Sequence, residues 1–286
     1  MENQKEILES LSIQLNSPCK LISATSVPGG DINQSFKIQT NLGRFFVKEN
    51  NAEGLPEMFQ KEAAGLEELS KTNFKIPKVI VVNDHFLILE WLEISSKDDK
   101  EYWRKFGVNL AKMHQLTANY FGLETDNYIG SLPQLNSKKT SWTDFFIQNR
   151  LEIQVKMALD SGKVSGNLPS LFERLYCNLE NLFPKEKSSL LHGDLWSGNI
   201  MRTKENTPAI FDPAVCYGHR EMDLSMTRLF GGFNPEMYNA YEDIFPLESG
   251  YSERAELYDL YPLMVHVNLF GGGYVRQVEQ ILARFT

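Results

Sequence analysis

The chain has 286 residues, 42% hydrophobic and 23% charged, with 29 Lys and Arg against 37 Asp and Glu for a formal net charge of −8. That balance excludes broad electrostatic binding to nucleic acid or to an anionic membrane surface, because both need clustered positive charge. Cys19, Cys177 and Cys216 are too few and too scattered for a disulfide framework or a paired-cysteine zinc site. MENQKEILES lacks the basic-then-apolar build of a leader and no apolar run is long enough to cross a bilayer, so a cytoplasmic protein is expected.

In chain order, the first ninety or so residues read as strand-rich with one inserted helix. KLISATSV at 20–27 leads into the turn cluster Pro28-Gly29-Gly30-Asp31. QSFKIQT then alternates, with Phe36 and Ile38 on one face, as a half-buried strand does. After Asn41-Leu42-Gly43, RFFVKEN places Phe45 and Val47 on one face and Phe46 and Lys48 on the other, which predicts a hairpin. PEMFQKEAAGLEELSKT follows with Phe59, Ala63, Leu66 and Leu69 at helical spacing. PKVIVV and HFLILEWL supply two more strands.

Beyond Ser95-Ser96 the pattern is mainly helical. DKEYWRKFGVNLAKMHQL, SWTDFFIQNRLEIQVKMALDSG and LPSLFERLYCNLENLF each predict a helix. Brief β-like runs interrupt at 189–212, and helical patterns resume to the end, with Pro262 expected to kink or divide one of them. The expectation is an α+β chain in two lobes: a small β-rich lobe over 1–92, and a larger, mainly helical lobe over 93–286.

The chemistry concentrates in His192-Gly193-Asp194-Leu195-Trp196-Ser197-Gly198-Asn199, followed by Ile210-Phe211-Asp212-Pro213. Asp194 and Asn199 stand five positions apart, the interval of the kinase catalytic loop H-R-D-x-x-x-x-N. Phosphoryl transfer needs a carboxylate beside the attacking hydroxyl and separate oxygen ligands for magnesium on the phosphates. Asp194 suits the first task, and Asn199 with Asp212 the second. A lone Asp in a glycine turn is usually a cap, but the combined pattern is far more specific.

A strand lysine is by itself most often solvated, yet Lys48 is followed fourteen positions later by Glu62, on the edge of the helical stripe. A strand lysine held by a helix glutamate is the kinase arrangement for ATP phosphates. Gly29-Gly30 would let backbone approach phosphates, although such a pair is also a common hairpin turn. Gly218-His219-Arg220-Glu221-Met222-Asp223 follows Asp212: His219 and Arg220 are expected to contact substrate or position the loop, and Asp223 to serve architecture. Trp196, a large ring inside the loop, is expected to pack on substrate or on a neighbouring loop. No P-loop, HExxH or GxSxG pattern occurs.

Taken together, GGDINQSF, FFVKEN, MFQKEAAGLEEL, HGDLWSGNIM and IFDPAVCYGHREMDLSMTRLFGGF resemble the fructosamine kinase (ketosamine-3-kinase) family over essentially the whole chain. The resemblance implies a protein-kinase-like two-lobed fold with ATP and Mg²⁺ bound between the lobes. It also implies transfer of the γ-phosphate to the 3-hydroxyl of a ketoamine, either a small molecule or a glycated protein lysine, whose phosphorylated adduct then breaks down and releases the amine. Residue by residue, it makes Asp194 the proton acceptor, Asn199 and Asp212 the metal ligands and Lys48 the phosphate contact. Glu90-Trp91-Leu92 becomes the segment whose backbone meets adenine. The alternatives are a small-molecule kinase of the aminoglycoside or choline type and a nucleotide-binding pseudokinase scaffold.

Overall fold

The computed structural model describes residues 1–28, 33–50, 54–95 and 99–286. They group into two units: Met1–Tyr102 with Gly198–Pro213, and Trp103–Ser197 with Ala214–Thr286.

The first unit is built on strand alternation. Helix α1 (Gln4–Gln14) precedes β1 (Leu21–Ser26), β2 (Gln34–Thr40) and β3 (Gly43–Glu49); α2 (Met58–Leu69) then leads to β4 (Val79–Val82) and β5 (Phe86–Glu90). The five strands form one antiparallel sheet in the order β1-β2-β3-β5-β4, with Lys48 of β3 opposite Ser35 of β2 and Leu87 of β5. Successive side chains of a strand point to opposite faces. Phe45 and Val47 therefore join Ile38, Phe86 and Ile88 in a buried cluster sealed by Ile7 and Leu11 of α1, while Lys48 points to the other face, where it meets Glu62 of α2. On α2 the buried positions Phe59, Glu62, Leu66 and Leu69 put this carboxylate in the middle of the apolar stripe.

Helix α1 is absent from the sequence reading. Only Ile7 and Leu11 of its residues are buried, and Ile13 and Leu15 are exposed, so its apolar stripe is two residues long and blurred. Burying two such side chains still contributes about 2 kcal/mol each.

The second unit starts within α3 (Lys100–His114). It continues through β6 (Thr117–Ala118), β7 (Asn127–Ile129), β8 (Leu132–Gln134), α4 (Trp142–Phe146), α5 (Glu152–Asp160), α6 (Leu168–Tyr176), α7 (Leu179–Leu182) and β9 (Ser188–Leu191). The chain re-enters the first unit for the hairpin of β10 (Ile200–Arg202) and β11 (Pro208–Ile210). It returns for β12 (Cys216–Gly218), α8 (Glu221–Leu229), α9 (Pro235–Ile244), α10 (Tyr251–Phe270) and α11 (Val275–Phe285). Strand β9 is the middle of a small sheet in the order β12-β9-β6.

Two helical expectations are refined. A π-helical turn at Ile147–Leu151 joins α4 to α5, and the run from Leu168 breaks between Tyr176 and Leu179 into α6 and α7. Helix α10 passes through Pro262 undivided. Its residues Leu257, Tyr258, Leu260, Tyr261, Leu263, Met264, Val265 and Val267 are all buried, so tertiary packing on several sides outweighs the missing backbone donor. No helix of the described residues is long and apolar enough to cross a membrane.

Candidate active site

In the first unit, three residues far apart in sequence converge. Lys48 Nζ lies 2.7 Å from Glu62 Oε1 and 2.8 Å from Asp212 Oδ1. Lys48 and Glu62 are buried, whereas the Asp212 side chain is about 50% exposed. Burial works against the charge on Lys48, but the carboxylates of Asp212 and Glu62 outweigh it and hold the ammonium above the ordinary lysine range. Two acids sharing one cation leave a surplus negative charge. Burial, reinforced by Asp212 and only partly opposed by Lys48, lifts the Glu62 carboxyl to about 7. The sequence reading anticipates the Lys48–Glu62 pair; the contact with Asp212 comes from the structure.

Asn199 and Asp212 become neighbours through strand register. Ile200 of β10 pairs with Ile210 of β11, so the residues flanking that pair lie at one end of the hairpin. There Phe211 N donates to Asn199 O at 3.1 Å and Asn199 Nδ2 to Asp212 O at 3.4 Å. Asp212 itself has a left-handed backbone, φ 58°, which Asp tolerates better than most residues. The hairpin is anchored by Lys75, whose N–H donates to Pro208 O and whose C=O accepts from Ile210 N. Lys75 Nζ in turn contacts the Glu90 carboxylate at 2.8 and 3.0 Å.

These donors suit a magnesium ion. Amide and carboxylate oxygens are the hard ligands it takes, and it characteristically uses one or two carboxylates plus phosphate oxygens. Among the described residues no group of three His, Cys, Asp or Glu could hold a metal unaided. The half-exposed Asp212 side chain is reachable from solvent. Of the expected adenine segment, Leu92 is buried, Trp91 lies under Lys37 Nζ at 4.5 Å, and Glu90 is tied to Lys75. Gly29 and Gly30 lie outside the described residues.

The Asp194 loop belongs to the second unit. Asp223, in the first turn of α8, accepts from His192 N at 2.8 Å and Gly193 N at 3.0 Å. His114 Nε2 reaches the same carboxylate at 3.3 Å, while its Nδ1 lies 2.9 Å from Tyr241 Oη. A carboxylate can only accept, so His114 Nε2 is the donor in that contact. Gly193 has φ 82°, and a Cβ there would collide with the Ala214 carbonyl oxygen. The glycine of H-G-D is thus required twice, by backbone conformation and by close approach. Trp196 meets Phe230 edge-on at 6.5 Å and stays about 37% exposed.

His219 and Arg220 are corrected as substrate contacts, because both are buried. His219 stacks on Tyr258, whose hydroxyl lies 2.9 Å from Nδ1. Burial, with Arg220 and Arg254 nearby, outweighs Glu186 and pushes its imidazole down to about 4. Arg220 grips the Glu186 carboxylate at 2.9 and 2.5 Å and the carbonyls of Phe245 and Pro246 at 2.7 Å each. Their motif looks chemical in sequence because it is charged. It is charged because it ties α8 to its surroundings from the inside.

A strand lysine held by a helix glutamate, and an H-G-D loop braced by a buried aspartate, define the class: a phosphotransferase of protein-kinase-like α+β fold. The fructosamine kinase family model matches residues 3–286, and the chain belongs to that family, whose members phosphorylate a sugar hydroxyl of ketoamines. It is 39% identical over 267 residues to an Enterococcus faecium protein named "probable ketoamine kinase", covering 91% of this chain and 94% of that one. An Arabidopsis thaliana chloroplastic protein-ribulosamine 3-kinase is 38% identical over 270 residues, covering 90% and 80%. Among solved structures, a candidate fructosamine-3-kinase of Thermobifida fusca superposes with a TM-score of 0.89 at 29% identity, covering 97% of each chain. The streptomycin–ATP–APH(2″)-IIa ternary complex shares only the fold, with a TM-score of 0.62 at 17% identity over 98% and 95% of the two chains.

Proposed function

We propose that this chain transfers the γ-phosphate of ATP, with Mg²⁺, to the 3-hydroxyl of a ketoamine sugar, and that the product's breakdown returns the free amine. The observation that carries the reading is the convergence of Lys48, Glu62 and Asp212 within 2.7–2.8 Å, three residues drawn from a strand, a helix and a hairpin end.

In this reading Met1–Tyr102 with the hairpin handles nucleotide, and the Asp194-bearing unit handles the acceptor. Lys48 stays protonated throughout and supplies a fixed positive charge to the phosphates. Asn199 and Asp212 would hold the metal, which when bound neutralises phosphate oxygens and draws them into line. Glu62, 2.7 Å from Lys48, would hold the ammonium in place while Asp212 served as a metal ligand. Asp194 orients the sugar hydroxyl and takes its proton as the oxygen attacks phosphorus. Backbone groups of Glu90, Trp91 and Leu92 meet the adenine edge. Trp196, partly exposed two residues after Asp194, offers its ring to the sugar or the amine-bearing arm.

The deciding experiment incubates the chain with ATP, Mg²⁺ and equal concentrations of ribulose-lysine, fructose-lysine, an aminoglycoside and choline, and follows the products by ³¹P NMR. Phosphorylation at the sugar 3-position of a ketoamine is expected. Phosphorylation of the aminoglycoside or choline alone, or of none of the four, overturns the reading.

A further inference from the structure

Ala214 and Val215 lead from Pro213 into β12, and side chains rather than a neighbouring strand receive their carbonyls. Gln134 Nε2 donates to Ala214 O at 3.0 Å, and Asn127 Nδ2 donates to Val215 O at 2.9 Å. Both amides come from the β7–β8 hairpin, where Asn127 and Gln134 are directly paired. Gln134 Nε2 also donates to Asn127 Oδ1 at 2.8 Å, and Tyr261 Oη donates to Gln134 Oε1 at 2.8 Å. Asn136 Nδ2 donates to Asn127 Oδ1 at 2.9 Å, and Arg150 Nη2 donates to Asn136 Oδ1 at 2.9 Å.

This network has a direction. An arginine can only donate, so the chain of bonds runs one way, from Arg150 through Asn136 and Asn127 to Val215. Arg150 is fully buried, sits in the π-helical turn, and lies over the Phe145 ring at 4.5 Å. The amides are nearly inaccessible as well, Gln134 and Asn136 being 2% and 1% exposed. In a medium of low polarity every such bond is strengthened, and each loss is costly.

The network ends on the Asp194 loop. Ala214 N donates to His192 O at 2.9 Å, and the Ala214 carbonyl backs directly onto Gly193. His192 is therefore held through its N–H by Asp223 and through its C=O by Ala214. Fixing Ala214 O fixes the peptide on which Asp194 is carried.

We propose that Gln134 and Asn127 are positioning residues for the Asp194 loop, setting its place through the Ala214 and Val215 carbonyls, with Arg150 and Tyr261 fixing the orientation of the amides. The proposal rests on Asp194 as proton acceptor. If the amides merely satisfied buried carbonyls, their loss would lower the number of folded molecules while leaving each folded molecule fully active.

The test uses the full chain and two variants, Gln134→Met, which keeps the volume but removes donor and acceptor, and Tyr261→Phe, which removes one hydroxyl. Calorimetric titration with ADP and Mg²⁺ counts nucleotide-binding chains, and kcat is expressed per binding chain. For Gln134→Met, one ADP per chain, a Kd within about threefold of wild type and a kcat lower by about 10–100-fold are expected, the scale of a misplacement near 1 Å. Tyr261→Phe should show the same split with a smaller fall. A kcat per binding chain within twofold of wild type in Gln134→Met overturns the proposal, and so does a loss of activity matched by a loss of ADP-binding chains. Turnover by the wild-type chain in the same assay checks the proposed function separately.

Discussion

The Lys48 cluster and the Asp194 loop are held by different physics. Around Lys48, two carboxylates compete for one buried ammonium, and one of them is half exposed. Such an arrangement is set by charge, and a cation or a phosphate arriving beside it would shift the balance between the two carboxylates. Around Asp194, a single carboxylate, Asp223, takes two backbone N–H groups, and the Ala214 amide takes the His192 carbonyl. Here the backbone is gripped directly and no arriving ligand is needed to complete it. Under the proposed function the contrast follows the tasks: phosphates and metal would come and go, whereas the proton acceptor would have to be in place beforehand.

The strongest way to break this contrast is to remove the chemistry and leave both scaffolds standing. Asp194→Asn keeps the side-chain shape but cannot accept the hydroxyl proton, and a fall in kcat of about 10²–10⁴-fold is expected with nucleotide affinity nearly unchanged. Near wild-type turnover would remove Asp194 from its assigned role. Next in size is Gly193→Ala. It forces a Cβ into the Ala214 carbonyl at a φ of 82°. Overpacking and left-handed strain together should cost roughly 2–5 kcal/mol of stability. Thermal unfolding is the measurement, and an unchanged Tm with unchanged kcat would show that the loop is not held as rigidly as described.

A gentler change sharpens the description of the charged region. Lys48→Met removes the proposed phosphate contact, whereas Glu62→Gln leaves Lys48 still paired with Asp212 at 2.8 Å and should cost less. In the double variant the second change should add little, because the two residues act as one unit. A double-mutant cycle on kcat/KM for ATP tests this. Losses that sum within about 0.5 kcal/mol would mean that Glu62 does not hold Lys48 for the phosphates.

The Lys48 cluster and the H-G-D motif were legible in sequence, and the neutral amides behind the loop were not. Lys48, Glu62, Asn199 and Asp212 sit in local patterns, a strand alternation, a helical stripe and a fixed loop interval, each of which leaves a trace along the chain. Strand alternation also showed which face of β3 carries Lys48. Gln134 and Asn127 leave no such trace. Their partners, Ala214 and Val215, are 80 and 88 positions away and offer only backbone carbonyls, whose demand for a donor does not depend on residue type. Helix α1 was missed because its stripe has only two buried residues. Of the two roles expected for His219 and Arg220, substrate contact is the one their burial opposes. Clustered ionisable residues signal chemistry in a sequence, but the same types tie buried elements together when each finds a partner.

The smallest expected effect concerns pH, and it separates the two units by sign. Burial lifts the Glu62 carboxyl to about 7, so between about 4.5 and 7 the folded chain binds more protons there than the unfolded one. That contribution to stability is complete below the lower value and is lost as pH rises through the upper one. His219 behaves oppositely. Buried against the rings of Trp142, Phe183 and Tyr258, with Arg220 and Arg254 opposing a proton and Glu186 favouring one, its imidazole falls from 6.5 to about 4. Between those values the unfolded chain binds more protons, so the contribution of His219 is present above pH 6.5 and is lost as pH falls toward 4. Histidine NMR on ¹⁵N-labelled protein reads the second group directly. The His219 ring nitrogens should keep neutral-imidazole shifts at pH 5, with the proton-free nitrogen still resolved. A midpoint near 6.5 would mean that the imidazole is solvated. The packing of His219 under α10 would then be wrong, and its place as a substrate contact would reopen.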